Sequence, residues 1–229
     1  MRSLILLVVL SACAGDPASD DDPGPGTCES VPADVSGEGT YYNADGTGNC
    51  SFDASPADLM VAALNAADYQ SAALCGACLA VTGPSGSVTV RVVDQCPECK
   101  HGDLDLSPQA FQKLSPLAAG RIPITWHQVA CDVTGPIAYH FKDGANAYWT
   151  AIQIRNHRYP IARLEAMQGG AYVEVPRLDY NYFVQESGLG PGPYMLRVTD
   201  TRGHTVDDAD IALGDSVTRT GSQQLESCP

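Results

Sequence analysis

Basic residues are scarce in this 229-residue chain. Thirteen Lys and Arg stand against 27 Asp and Glu, for a formal net charge of −14 at pH 7. Nucleic-acid binding needs clustered Lys and Arg to neutralise phosphates, so that class is excluded. Electrostatic attachment to acidic polymers is disfavoured on the same ground, and a neutral partner fits better. Long apolar runs are also missing: Leu4–Leu10 is far too short to span a bilayer. The five histidines show no metal-ligand spacing. No G-x-S-x-G motif marks a serine triad. Neither an internal repeat nor a convincing long helix is present, and no cofactor or metal is expected.

Arg2, the Leu4–Leu10 run and the small residues after it read as an export signal. Leu10-Ser11-Ala12-Cys13 resembles a bacterial lipobox, which would make lipidated Cys13 the mature N-terminus. Ala12-Cys13-Ala14 offers an ordinary A-x-A cleavage site instead. Residues 1–14 are thus assigned to signal peptide and lipobox. The expected location is outside the cytoplasm, as an outer-membrane or cell-surface lipoprotein or as a secreted monomer. Membrane contact would come only through the lipid. Residues 15–35, with the run DPASDDDPGPG, have the composition of a disordered tether.

Cysteine parity agrees with export. Of nine cysteines, Cys13 is lipidated or removed, leaving Cys28, Cys50, Cys75, Cys78, Cys96, Cys99, Cys131 and Cys228. An even set in an exported chain reads as four disulfides, and eight cysteines allow roughly 105 connectivities. Zinc is the rival: Cys75-x-x-Cys78 and Cys96-x-x-Cys99 have zinc-ribbon spacing. The export signal and the four further cysteines favour disulfides.

Residues 36–133 are rich in Gly, small residues and short β-type runs. Val88, Val90 and Val92 alternate with polar residues, as do Ile122, Ile124 and Trp126, the pattern of half-buried strands. Ser107-Pro108 opens a short helix to about Leu114, with Ser as N-cap, Pro in the first turn and Ala110, Phe111 and Leu114 on one face. Ser55-Pro56-Ala57-Asp58 starts either a helix or a loop before a Met60–Leu64 strand, and the pattern leaves both open. In the second block, residues 137–213, strand-like runs recur at 151–154, 171–175 and 194–198, with turns at Lys142-Asp143-Gly144, Gly169-Gly170 and Arg202-Gly203. That spacing predicts a small β-sandwich packed against the first block across a short joint. Residues 214–229 are expected as a tail.

The stretch VVDQCPECKHGDLDLSPQAF places Asp94, Asp103 and Asp105 around a C-x-x-C. In Leu104-Asp105-Leu106 the leucines would face inward, leaving Asp103 and Asp105 on one outward face. The helix entry at Ser107 favours an ionised Asp105, whereas a general acid near neutral pH needs desolvation to keep its proton. The alternative is an aspartate that organises backbone at a helix start.

Taken together, Gly39-Thr40-Tyr41-Tyr42, Val93-Asp94, Leu104-Asp105-Leu106-Ser107-Pro108-x-Ala110-Phe111, Ala151-Ile152-Gln153-Ile154-Arg155-Asn156-His157 and Asp179-Tyr180-Asn181 resemble the bacterial expansins. The resemblance covers about 36–213. It implies a mainly β fold: an N-terminal six-stranded double-psi β-barrel packed against a C-terminal immunoglobulin-like β-sandwich that binds cellulose. The barrel is related to family-45 endoglucanases and certain lytic transglycosylases. By that relation Asp105 falls on the general acid, while the partner segment Thr40-Tyr41-Tyr42 offers hydroxyls instead of a carboxylate. Asp45 lies three residues on, in an Asp-Gly turn. An inverting hydrolase needs two carboxyls roughly 6.5–9.5 Å apart, so the pair looks incomplete.

The resemblance further implies a groove of Thr40, Asp94 and Asp105 that loosens walls without hydrolysis, with Tyr41 and Tyr42 beside it. Cys96 stands where some relatives carry a groove tyrosine, matching members with a C-P-x-C turn. Tyr148, Trp149 and Tyr180 map onto the aromatic platform. For adjacent rings to share a face, the chain must twist or bulge at the strand start. The implied disulfides are Cys50–Cys75, Cys78–Cys131, Cys96–Cys99 and Cys28–Cys228. Arg155-Asn156-His157 reads as structural, at the joint. The expected partner is cellulose or a related β-glucan. The alternatives are a weak endoglucanase, a lytic transglycosylase acting on peptidoglycan through Asp105, and a pure carbohydrate-binding surface protein.

Overall fold

The computed structural model describes residues 33–228. The signal, the lipobox at Cys13, most of the tether and the pairing partner Cys28 lie outside the described residues. Six strands close a barrel in the order β1-β5-β2-β4-β3-β6: β1 (Val35–Tyr41), β2 (Val61–Asn65), β3 (Cys78–Gly83), β4 (Gly86–Cys96), β5 (Leu104–Leu106) and β6 (Ile122–Val129). The β1/β5 and β2/β4 pairs are parallel and the other barrel pairs antiparallel, the double-psi arrangement. Period-2 patterning explains the strands. In β6, Ile122, Ile124 and Trp126 are buried and the residues between them less so. Within Met60–Leu64, ambiguous in sequence, residues 61–64 belong to strand β2, whose five residues are all buried, while Met60 lies just outside it.

Two short helices accompany the barrel, α1 (Ala66–Tyr69) and α2 (Pro108–Leu114). The Ser107 hydroxyl caps α2 by accepting from Ala110 N at 3.0 Å and donates to Leu59 O. Ala110, Phe111 and Leu114 then turn into the barrel core.

The remaining strands form two four-stranded antiparallel sheets. One runs β10-β9-β12-β13: β9 (Ile161–Gln168), β10 (Ala171–Val175), β12 (Tyr194–Asp200) and β13 (Thr205–Ile211). The other runs β11-β8-β7-β14: β7 (Ala138–Phe141), β8 (Thr150–Arg155), β11 (Phe183–Gln185) and β14 (Val217–Thr220). Tyr139, Ile152, Leu164, Leu196 and Val206 share one core between the sheets, so they pack as a sandwich. The segment expected as a tail departs from that expectation. It supplies β14, and Leu225 is buried in the same core. An isolated four-residue edge carries too weak a pattern to be seen in sequence.

Cys50 is bonded to Cys75, Cys78 to Cys131 and Cys96 to Cys99. This overturns the zinc alternative: Cys75 and Cys78 point into separate bridges, and no cluster of metal-binding side chains gathers among the described residues. Barrel and sandwich meet through directed hydrogen bonds. Gln153 and Asn181 both donate to Cys50 O, at 2.9 and 3.1 Å, and Tyr69 OH donates to Asp179 O at 2.9 Å. Arg155 pairs with Asp53 at 2.6 Å, and Asn156 holds the joint by donating to Thr134 O and Pro136 O. No helix among the described residues is long and apolar enough to cross a membrane.

Candidate functional site

The register across four adjacent strands sets the site. Thr40 on β1 lies opposite Asp105 on β5, Asp105 lies opposite Ala63 on β2, and Ala63 lies opposite Asp94 on β4. Partners in register project to the same face, so Thr40, Asp105 and Asp94 form one row with the small Ala63 as its floor. Two strand spacings separate the Asp105 and Asp94 backbones, about 10 Å. A bulge between Ala62 and Ala63 adjusts the β2/β4 register and brings Asp94 into this row.

Each side chain is held differently. Thr40 Oγ1 donates to Asp105 Oδ1 at 2.6 Å. Half-buried Asp105 has its pKa raised, first by burial. The Thr40 hydrogen bond and Arg121 pull it down, while Glu98 and Asp94 push it up. Asp94 Oδ1 accepts from Asn49 N at 2.7 Å and from Gln95 N at 2.8 Å. A Cβ at Gly48 would sit 2.4 Å from the Asp94 side chain, so only glycine lets this loop close over the carboxylate. Tyr42 stands among the carboxylates. Burial, then Asp94, Asp105 and Asp45, drive its pKa above the ordinary phenol value, so it stays a neutral O–H. That hydroxyl is buried beside Asp94 and makes no hydrogen bond of ordinary geometry among the described residues. Tyr41 is exposed and its ring centroid lies 4.9 Å from that of Phe111.

Two other aspartates in this region have structural tasks. Asp103 is buried, with Oδ1 accepting from Glu38 N at 2.8 Å and Oδ2 from Lys100 N at 3.1 Å. It clamps β1 to the turn after the Cys96–Cys99 bridge. Asp45 is spent on its own turn, accepting from the Thr47 amide and hydroxyl. A cavity of about 490 Å³ opens beside Asp105 and Thr40, rimmed by Glu98, Lys100, Arg121 and the Cys96–Cys99 bridge.

On the sandwich, a tight turn precedes β8. Asn146 N donates to Trp149 O at 2.8 Å, and Tyr148 N donates to Asn146 Oδ1 at 2.9 Å. The turn breaks strand parity at this point. Tyr148 is 84% exposed at its tip, while Trp149 is half-buried against Ala151, Tyr182 and Val184. Tyr180 packs in the same cluster, 5.8 Å from Tyr182 between ring centroids. Tyr182 escaped notice in the sequence. The signal available was its position two residues after Tyr180, although the chain turns there, with Asn181 at φ +64°. Buried Tyr182 backs the two partly open rings.

Asn49 joins the two regions. Its amide holds Asp94, and its side chain donates to Asp179 O at 3.0 Å, next to Tyr180. The carboxylate row on the barrel and the ring cluster on the sandwich are thereby linked through one residue. Sequence reading also missed Asn49, because its role exists only once the two units meet. Chemically, the row offers carboxylate acceptors and a neutral O–H donor, and the cluster offers ring faces with negative quadrupole to C–H groups.

Residues 61–126 match the family described as Lytic transglycolase. The chain is 40% identical over 187 residues to Expansin-YoaJ of Bacillus subtilis (strain 168), covering 80% of each. It is 30% identical over 203 residues to Expansin-like protein 5 of Dictyostelium discoideum, 82% of this chain and 84% of that one. Among solved structures, an apo expansin of Clavibacter michiganensis is 34% identical, with a TM-score of 0.79 over 84% of this chain and 98% of that one. The same values hold for a mutant of that expansin solved in complex with cellohexaose.

Proposed function

The chain belongs to the expansin family, and from that premise we propose that it loosens cell walls without hydrolysis by binding cellulose or a related β-glucan. One feature carries the reading: the Thr40–Asp105–Asp94 row is linked through Asn49 to Asp179, next to the Tyr180 and Trp149 rings, with exposed Tyr148 in the turn beside Trp149. A neutral, extended glucan would lay its C–H faces on the rings and present hydroxyls to Asp105, Asp94, Thr40 and Tyr42. Each hydroxyl so engaged is withdrawn from contacts between glucan chains, which loosens them with no bond broken. The composition agrees, because a surface of net charge −14 offers a neutral polymer no repulsion.

The non-hydrolytic part rests on the row. Across from Asp105 on β1 stands a hydroxyl, Thr40, and it is already engaged with the carboxyl at 2.6 Å. Asp45 is committed to its own turn. An inverting pair would need an ionised carboxylate facing the acid with room for water between them. The protein works outside the cytoplasm on this reading, in keeping with the three disulfides among its described residues. The 36–133 and 137–213 blocks would act as its barrel and glucan-binding units.

The test is mechanical. Wild-type protein is expected to cause creep in strips of cellulosic wall while releasing no reducing ends. Asp105→Asn should abolish creep with cellulose binding kept, and Trp149→Ala should reduce binding in a pull-down. Sugar release above the stoichiometric amount would overturn the non-hydrolytic reading. Anhydro-muropeptides released from purified sacculi would instead assign Asp105 the transglycosylase role that its raised pKa suits.

A further inference from the structure

The joint between barrel and sandwich holds a second cavity, of about 520 Å³, that shares no lining residue with the one beside Asp105. Strands β3 and β4 form one wall, and the segments 131–133 and 156–157 form the other. Thr89, Asp58 and Asp132 stand exposed around it. Three side chains define its chemistry.

Arg91 is half-buried, its guanidinium lying over the Phe52 ring at 5.2 Å. Its Nε–H is buried and meets no acceptor among the described residues. A buried donor without a partner carries the desolvation cost of that group, so a ligand that lets the guanidinium turn and donate gains more than it would at a satisfied surface arginine. His157 supplies the opposite polarity. Its Nδ1 lies 2.8 Å from Tyr159 O, and a carbonyl can only accept, so Nδ1 carries the hydrogen. Burial lowers the imidazole pKa to about 4. The ring is thus neutral at pH 7, with Nε2 left as an acceptor. Phe52, Met60 and Val133 provide apolar wall between the two.

Donor, acceptors and an aromatic edge within one cavity match a polyol, whose hydroxyls both donate and accept. A carboxylate ligand would suit Arg91 alone, against Asp58 and Asp132 on the lining. We propose that this cavity is a second carbohydrate site, which takes a short segment of a neutral β-glucan. This rests on the glucan reading above and adds to it a grip separate from the open face.

Cellobiose titrated into isotope-labelled full-length protein, in a Trp149→Ala background, tests the assignment by NMR. Saturable shifts are expected at the His157 ring and at Arg91 Nε–H. Arg91→Gln should weaken that binding about tenfold, the loss of one charge-assisted hydrogen bond. Thr89→Trp, an exposed change at the cavity mouth, should block it while cellulose pull-down by the otherwise wild-type protein stays unchanged. Absence of shifts up to tens of millimolar cellobiose (roughly the weak limit for a single sugar site) would overturn the proposal. So would shifts that persist in Thr89→Trp, or tighter binding of glucuronate than of cellobiose, which would make this an anion site. The cellulose pull-down reads the open face separately, so its failure would count against the glucan reading and not be confused with an empty cavity.

Discussion

Three aspartates lie within twelve residues of one another, and their surroundings give them three different tasks. Among the described residues, Asp103 spends both oxygens on backbone amides, Asp94 spends one on the loop at Asn49, and Asp105 meets only the Thr40 hydroxyl. Burial is therefore least compensated at Asp105, and its carboxyl is raised above the ordinary value of 3.8. The sign of the consequence follows. A carboxyl whose folded pKa lies above its unfolded value lends stability that is present below about pH 3.8 and lost as pH rises through the folded value. At a pH above the folded value the ionised group is a liability, and there Asp105→Asn should unfold at a higher temperature than wild type. The gap should close as the pH drops below about 4. Thermal melts of both proteins between pH 3 and 8 check this, and a gap that widens in acid would contradict it.

At the scale of the element, the turn before β8 decides what the sandwich presents. Gly188 has φ +76°, and a Cβ there would lie 2.1 Å from Ala147 O and 2.5 Å from Tyr148 Cα. The backbone at Gly188 thus supports the turn that carries Tyr148 and Trp149. Gly188→Ala must push that turn outward while leaving both β-sheets in place. Cellulose binding is expected to weaken by about tenfold or more, with a stability loss of about 1–2 kcal/mol from the strained φ and the contact. Pull-down and urea denaturation together separate the two effects. A variant that loses stability and keeps full binding would show that the turn's position is unimportant. Helix α2 is the contrasting element, since its cap, first-turn proline and buried face all lie within eight residues and specify it locally.

For the whole molecule, the disulfides differ in what they restrain. Cys78–Cys131 spans 53 residues, from β3 to the end of the barrel, and Cys96–Cys99 spans three. In the chain-entropy model the first is worth about 4 kcal/mol and the second about 1.6 kcal/mol. The paired variant Cys78→Ser with Cys131→Ser should therefore lose more stability than Cys96→Ser with Cys99→Ser, measured by urea denaturation under oxidising conditions. Equal losses would mean that native packing, and not the loop closed, governs both bridges. The short bridge serves a local purpose, shaping the rim of the cavity beside Asp105.

Local chemistry was enough for much of this protein. Period-2 alternation marked β4 and β6, a serine and a proline marked the start of α2, and the 27-to-13 excess of acids excluded polyanionic partners. These features depend on neighbours in the chain, and a sequence displays such neighbours directly. The resemblance of scattered motifs added the barrel and the sandwich. Register and contact between distant segments were decided only by the tertiary structure. It set Thr40, Asp105 and Asp94 in one row, turned Asp103 away to backbone amides, placed residues 217–220 in a sheet and brought Asn49 against Asp179. It also separated Cys75 from Cys78, whose spacing alone fitted zinc. Spacing along a chain fixes how far apart two side chains can be, but closure of the barrel and docking of the sandwich fix which of them meet.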